Sequence, residues 1–65
     1  MSDFGPGVLW QIGNVQCVVI HSSAAQSYEV RIMQAGQVIE RRWFADYEHA
    51  ANFAAQKRRK YQALT

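Results

Sequence analysis

Residues 27–44 read SYEVRIMQAGQVIERRWF and decide the fold, because they hold two runs rich in β-favouring residues around the pair Ala35-Gly36. Two such runs joined by two turn residues are typical of a β-hairpin. Alternation along each run places successive side chains on opposite faces of the sheet. The segment therefore predicts strands over 27–34 and 37–44, with one face packed in a core.

The charges indicate the register of this hairpin. Alanine is a poor first residue for a primed turn, so a bulged turn is an alternative, but a two-residue turn brings opposite charges directly across from each other. The predicted pairs are Arg31–Glu40, Glu29–Arg42 and Met33–Val38 on one face, and Ile32–Ile39, Val30–Arg41 and Tyr28–Trp43 on the other. Tyr28 and Trp43 are then core aromatics; the alternative is that they are stacking platforms for bases.

A similar hairpin precedes this one, with strands over 8–12 and 15–21 around the turn Gly13-Asn14. Its predicted core-face pairs are Trp10–Cys17, Val8–Val19 and Ile12–Val15. The opposite face then carries an apolar patch, typical of a partner site, that consists of Leu9, Val18, Ile20, Met33 and Val38. The alternative is that these residues are scattered singly or covered by a short N-terminal tail, residues 1–7, with Phe4.

From Asp46 the apolar period becomes helical. Asp46 is a suitable N-cap, and the alanine-rich segment that follows favours helix. One helical face carries Ala50, Phe53, Ala54, Lys57, Tyr61 and Leu64. The expected fold is therefore α+β: a four-stranded antiparallel β-meander packed against one C-terminal α-helix (ββββα), in a single domain over residues 8–65.

The chain has 65 residues, of which 49% are hydrophobic and 18% charged, a composition typical of a globular domain rather than a disordered one. A lone cysteine, Cys17, excludes an internal disulfide. The sequence holds no apolar run of membrane length and no signal peptide, so a cytoplasmic protein is expected. Because so small a domain is marginally stable alone, a homo-oligomer is also expected.

The residue types that support catalysis or metal binding are present but poorly arranged. Ser22 follows His21 in sequence, yet a triad needs a third, orienting group, and neither His21 nor His49 has an evident carboxylate partner. Cys17 and His21 are about 13 Å apart along one strand, too far for one metal ion. Cys17 is interpreted as a small buried hydrophobic residue. The chain is expected to be non-enzymatic, without cofactor, metal or small-molecule substrate.

Basic residues are the main candidates for ligand contacts. The run Lys57-Arg58-Arg59-Lys60 lies near the end of the predicted helix, with the Lys57 stem packed on its apolar face and Arg59 and Lys60 directed outward. Contact with phosphate or an acidic partner, extended by Arg41, is one interpretation. The alternative is a solvated helix end whose cations are favoured by the helix dipole.

The segments from Tyr28 to Ile32, on to Gly36, and from Arg42 to Ala54 together resemble AP2-type and integrase N-terminal DNA-binding domains, a likeness that extends over residues 28–64. In that family a short sheet leads into a phenylalanine, a helix cap and an alanine-rich helix. The resemblance implies that the sheet face opposite the helix contacts DNA, here through Arg31 and Arg42 with help from Gln11 and Gln16. Glu29 and Glu40 depart from the family by neutralising these arginines. The order of elements is also similar to PC4-type single-strand binders.

Two functions follow as expectations. The first is a small nucleic-acid-binding accessory domain that uses Arg31, Arg41, Arg42, Lys57, Arg58, Arg59 and Lys60. The second is a protein-protein interaction module, such as a small inhibitor or subunit of the kind that mobile elements encode, which uses the apolar patch.

Overall fold

A computed structural model describes residues 7–64. It contains the strands β1 (Gly7–Ile12), β2 (Val15–Ser22), β3 (Ser27–Gln34) and β4 (Gln37–Phe44), followed by the helix α1 (Tyr47–Leu64). The strands form one antiparallel sheet in the order β1-β2-β3-β4. The predicted ββββα fold is confirmed. Residues 1–7 were predicted to form a tail. Gly7 instead begins β1, and residues 1–6 lie outside the described residues.

Both hairpin turns have the backbone that two-residue turns require. Gly13 has a φ of 59°, and Ala35 and Gly36 have φ values of 52° and 83°. Positive φ at both central residues, as at Ala35-Gly36, is typical of a type I′ turn, and positive φ at the first one alone, as at Gly13, is compatible with a type II′ turn. The twist of both types matches that of the strands they join. The Ala35 N–H donates a hydrogen bond of 3.1 Å to the Asn14 carbonyl, so the two turns lie side by side at one end of the sheet.

The core lies between α1 and one face of the sheet, called here the covered face. It contains the buried residues Val15, Cys17, Val30, Ile32, Ala50, Phe53 and Ala54. Trp10 packs against this cluster, and its indole Nε1–H donates a 2.9 Å hydrogen bond to the Ala54 carbonyl of α1. The expectation that the helix covers the side holding Trp10, Val30 and Ile32 is confirmed.

β4 has a bulge that the sequence analysis did not predict. Met33 pairs with Val38 as expected, but Ile32 then pairs with Glu40, which leaves Ile39 as an extra residue. An extra residue shifts every later partner by one and reverses which face each side chain occupies. The pairs predicted beyond the bulge are therefore wrong, and the observed ones are Ile32–Glu40, Arg31–Arg41, Val30–Arg42, Glu29–Trp43 and Tyr28–Phe44.

Tertiary contacts show why the covered face accepts this shifted register. Phe44, rather than Trp43, reaches the core and lies 5.4 Å from the Phe53 ring. Glu40 forms an ion pair of 3.0 Å with Lys57 of α1. The predicted register places Phe44 and Glu40 on the face opposite the helix, whereas the observed register lets both contact α1.

β1 has a second bulge at Leu9. The pairs Trp10–Cys17 and Ile12–Val15 match the prediction, but Val8 pairs with Val18 instead of Val19. Leu9 packs against the core together with Trp10. The prediction that Leu9 lies on the outer apolar patch is therefore wrong. Val8 replaces it there and is exposed.

Within residues 7–64, no helix combines the length and the apolar composition that crossing a membrane requires.

Candidate functional site

The sheet face opposite α1, called here the open face, brings charged residues and an exposed tryptophan together on one surface. Strand pairing and side-chain alternation place on it Val8, Gln11, Gln16, Val18, Ile20, Ser22, Ser27, Glu29, Arg31, Met33, Val38, Arg41 and Trp43. β3 and β4 supply all of its charged groups.

Glu29 holds two arginines together at the centre of the open face. Its Oε2 accepts a 2.9 Å hydrogen bond from the Nε of Arg31 and forms an ion pair with the Nε of Arg41 at 3.0 Å. The hydrogen bond with Glu29 raises the pKa of Arg31 above its ordinary value. Because Arg31 and Arg41 are also direct partners across the strands, the carboxylate offsets their repulsion. The trio keeps one net positive charge.

Trp43 lies on the open face beside this trio. Its side chain is 59% exposed, and Glu29 is its direct partner on β3. The Arg41 guanidinium carbon lies 5.9 Å from the Trp43 ring centroid, within the range of a cation–π contact. The prediction that Trp43 is a core aromatic is wrong because of the β4 bulge. Tyr28, in contrast, packs against the core as predicted.

The seven predicted nucleic-acid contacts do not form one surface. Arg31 and Arg41 share the open face, whereas Arg58, Arg59 and Lys60 are exposed on α1, in the other layer. The Nζ of Lys57 lies over the Phe53 ring, 5.4 Å from its centroid, and forms a 3.0 Å ion pair with Glu40.

Arg42 also belongs to the covered side, with its guanidinium carbon 5.1 Å from the Phe53 ring. The bulge reverses its face, so Arg41, rather than Arg42, lies beside Arg31 on the open face.

The predicted apolar patch is smaller than expected. Val18 is only 8% exposed, and Ile20 and Met33 are half-buried, so of the predicted residues on this face Val38 is the most exposed, at 38%. The exposed apolar residues of the sheet that sequence reasoning missed are Val8, Ile39 and Trp43. On α1, Leu64 was predicted on the apolar face but is 71% exposed. A bulge leaves no signature in apolar alternation, so the sequence held no signal for this exchange.

The remaining reactive side chains have structural partners. Cys17 is buried as predicted, and burial raises the pKa of its thiol to about 11. His21 stacks on Tyr28 with ring centroids 4.5 Å apart. His49 has a carboxylate partner, contrary to expectation: its Nδ1 lies 2.7 Å from Asp46 Oδ1. No group of three or more potential metal ligands occurs among residues 7–64.

A surface pocket of about 340 Å³ opens at the turn end of the covered side. Its walls are mostly apolar and consist of Ile12, Gly13, Asn14, Val15, Gln34, Tyr61 and Leu64. The pocket contains no charged side chain to orient a ligand, so it offers less recognition chemistry than the open face.

No family model matches this chain, and neither the curated proteins nor the solved structures give a match. The resemblance to DNA-binding domains stays a prediction, and the functional conclusion rests on the open face itself.

Proposed function

We propose that this domain binds nucleic acid through the open face. The observation that carries the proposal is the placement of two arginines and an exposed tryptophan on one side of a continuous sheet. Arginine binds phosphate oxygens through its guanidinium donors, and an aromatic ring contacts a base or sugar. The open face therefore holds guanidinium groups that can bind a phosphate and an aromatic ring that can contact a base or sugar.

Glu29 orders the arginines without removing their attraction for phosphate. It is 15% exposed and fixes the Nε side of both guanidinium groups, so the terminal nitrogens of the more exposed Arg41 are left to contact a ligand. Arg58, Arg59 and Lys60 add positive potential from the other layer, and the whole chain has a net charge of +2. Such a field increases the rate of encounter with a polyanion, while local contacts determine the mode of binding.

The test is to measure binding of fluorescent oligonucleotides by anisotropy at low and high salt. We expect Arg41→Gln to weaken binding and to reduce the slope of log K against log salt by about 0.7–0.9, the value for one lost phosphate contact. Arg59→Gln on α1 is the matched control, because it removes the same charge from the other layer. It should change affinity and slope less than Arg41→Gln does.

Equal effects of the two substitutions would show that only overall charge matters and would contradict an open-face site. Failure of the wild-type protein to bind any oligonucleotide at low salt would exclude the proposed function.

A second candidate function is a protein-protein interaction module, which includes self-association into a homo-oligomer. The supporting observation is that Val38, Ile39 and Trp43 are exposed along β4, at one edge of the sheet. A charge at Val38, as in Val38→Asp, should then reduce the assembly mass measured by light scattering. If wild-type protein is a monomer at the highest concentrations tested, self-association is excluded.

A further inference from the structure

We infer that the ligand of the open face is single-stranded nucleic acid, with an unpaired base stacked on Trp43 and a neighbouring phosphate on Arg41. This inference rests on the proposed function and specifies its ligand. It commits to a single strand rather than a duplex, and the shared chemistry of DNA and RNA strands makes both of them candidates.

The accessibility of the Trp43 ring carries the inference. Trp43 is 59% exposed, so its ring is accessible to a planar partner, and the Arg41 guanidinium carbon lies over the ring at 5.9 Å from its centroid. In a duplex each base has its faces covered by neighbouring bases, so an aromatic side chain can stack only on a base that is unpaired or displaced. Stacking platforms of this kind are characteristic of proteins that bind single strands.

The charge of the open face supports the same ligand. Arg31 and Arg41 carry two positive charges and Glu29 one negative charge, which leaves a net charge of +1 on this face. Duplex DNA presents one phosphate charge about every 1.7 Å along its axis, and proteins that bind it neutralise many of them. A face with so little charge gains more from stacking, which does not depend on phosphate density.

The spacing on β4 allows one nucleotide to meet both groups. Arg41 and Trp43 are two residues apart on the same face, a separation of about 7 Å in an extended strand. β4 is also an edge strand, with β3 as its only partner among the described strands. A single strand can therefore run along this border of the sheet with its bases turned towards Trp43.

The experiment compares four probes of one mixed sequence: a 12-nucleotide DNA strand, its duplex, the corresponding RNA strand and the RNA duplex. Each is titrated into wild-type protein, Trp43→Phe and Trp43→Leu at low salt. Leucine keeps an apolar side chain at the position but removes the ring, so it controls for loss of apolar surface. Circular dichroism of each variant confirms that it is folded.

We expect the strands to bind more tightly than the duplexes. Trp43→Leu should weaken strand binding by roughly 5- to 150-fold, which corresponds to a stacking energy of about 1–3 kcal/mol per base. Trp43→Phe should lose less, because its ring still stacks. The two strand probes show whether DNA or RNA is preferred, and either preference supports the inference.

Duplexes that bind as tightly as strands, or a Trp43→Leu variant with wild-type affinity for strands, would overturn the inference while the proposed function stands. Absence of binding to all four probes would overturn both. The two failures are thus distinguishable within one set of titrations.

Discussion

Ala35 shows how a single residue limits the stability of this domain. Its φ of 52° lies in the left-handed region, where the Cβ of an L-residue approaches the backbone. Asparagine tolerates this conformation and is a favoured first residue of the same turn before glycine.

The first prediction concerns this turn. Ala35→Asn should raise the free energy of unfolding by about 0.5–1 kcal/mol, since it relieves part of a strain of about 1–2 kcal/mol. Urea denaturation measures the change. Ala24→Asn is the control, because Ala24 lies in the turn between β2 and β3 without a positive φ, and it should shift stability by no more than about 0.5 kcal/mol. Equal effects at both positions would contradict the account of the turn.

Residue types alone could predict some of these placements and not others. The burial of Cys17 and the position of Lys57 on the core side of α1 follow from the apolar pattern, and both are confirmed, although the Lys57 ammonium contacts Phe53 and Glu40. The exposure of Trp43 could not be predicted, because it depends on an extra strand residue, Ile39, three positions after Gly36, that no turn residue marks. Cross-strand charge pairs, at about 0.2–1 kcal/mol each, are too weak to fix a register by themselves.

At the scale of elements, both edge strands contain a bulge and both inner strands are regular. Bulges disturb the row of free N–H and C=O groups at a sheet edge and so hinder edge-to-edge pairing with other chains. Here they also determine the site, since the β4 bulge at Ile39 places Trp43 on the open face.

The second prediction tests that bulge. Deletion of Ile39 should preserve the fold, because the observed pairs from Glu40 onward then continue from Val38 without an extra residue. We expect a loss of less than about 2 kcal/mol in unfolding free energy, within the range of ordinary substitutions. Deletion of Arg31 from the regular strand β3 is the control and should be far more disruptive, since it shifts a fully paired strand. If the Ile39 deletion lowered the unfolding free energy as much as the Arg31 deletion does, the β3–β4 register described here would be wrong.

The start of α1 gives a prediction for pH. Asp46 accepts a 2.9 Å hydrogen bond from the His49 backbone N–H and contacts its ring, and these contacts lower the pKa of Asp46 below 3.8. A carboxyl group whose pKa is lower in the folded state stabilises the fold above its unfolded pKa, and the contribution disappears as pH falls through the folded pKa.

Asp46→Asn keeps a side-chain acceptor at the N-cap but removes the charge. Thermal melts should therefore show the variant less stable than wild type at pH 6, with the difference shrinking as the pH is lowered from 4 towards 2. A difference that is constant over this range would contradict the assigned role of the Asp46 charge.

At the scale of the whole molecule, the chain divides its side chains between one covered and one open face of a single sheet. The order of elements, the helix position and the side that the helix covers could be predicted, because apolar periodicity and turn residues determine them locally. The composition of the open face was predicted in part: Arg31 lies there as predicted, whereas Arg41, predicted on the core face, takes the place predicted for Arg42, which lies on the helix side. Those differences arise from packing between layers, which a linear pattern does not contain.

The two tryptophans allow a direct test of which face binds. Trp10 donates its indole N–H to α1 within the covered side, and Trp43 is exposed on the open face. In a ¹⁵N–¹H correlation spectrum the two indole signals are distinguished with the Trp43→Phe variant and then followed during titration with a DNA or RNA strand. We predict that the Trp43 signal and the amides of Arg31 and Arg41 shift, while the Trp10 signal stays in place. Shifts confined to Arg58, Arg59 and Lys60 of α1, with Trp43 unchanged, would contradict the central claim that the open face is the binding surface.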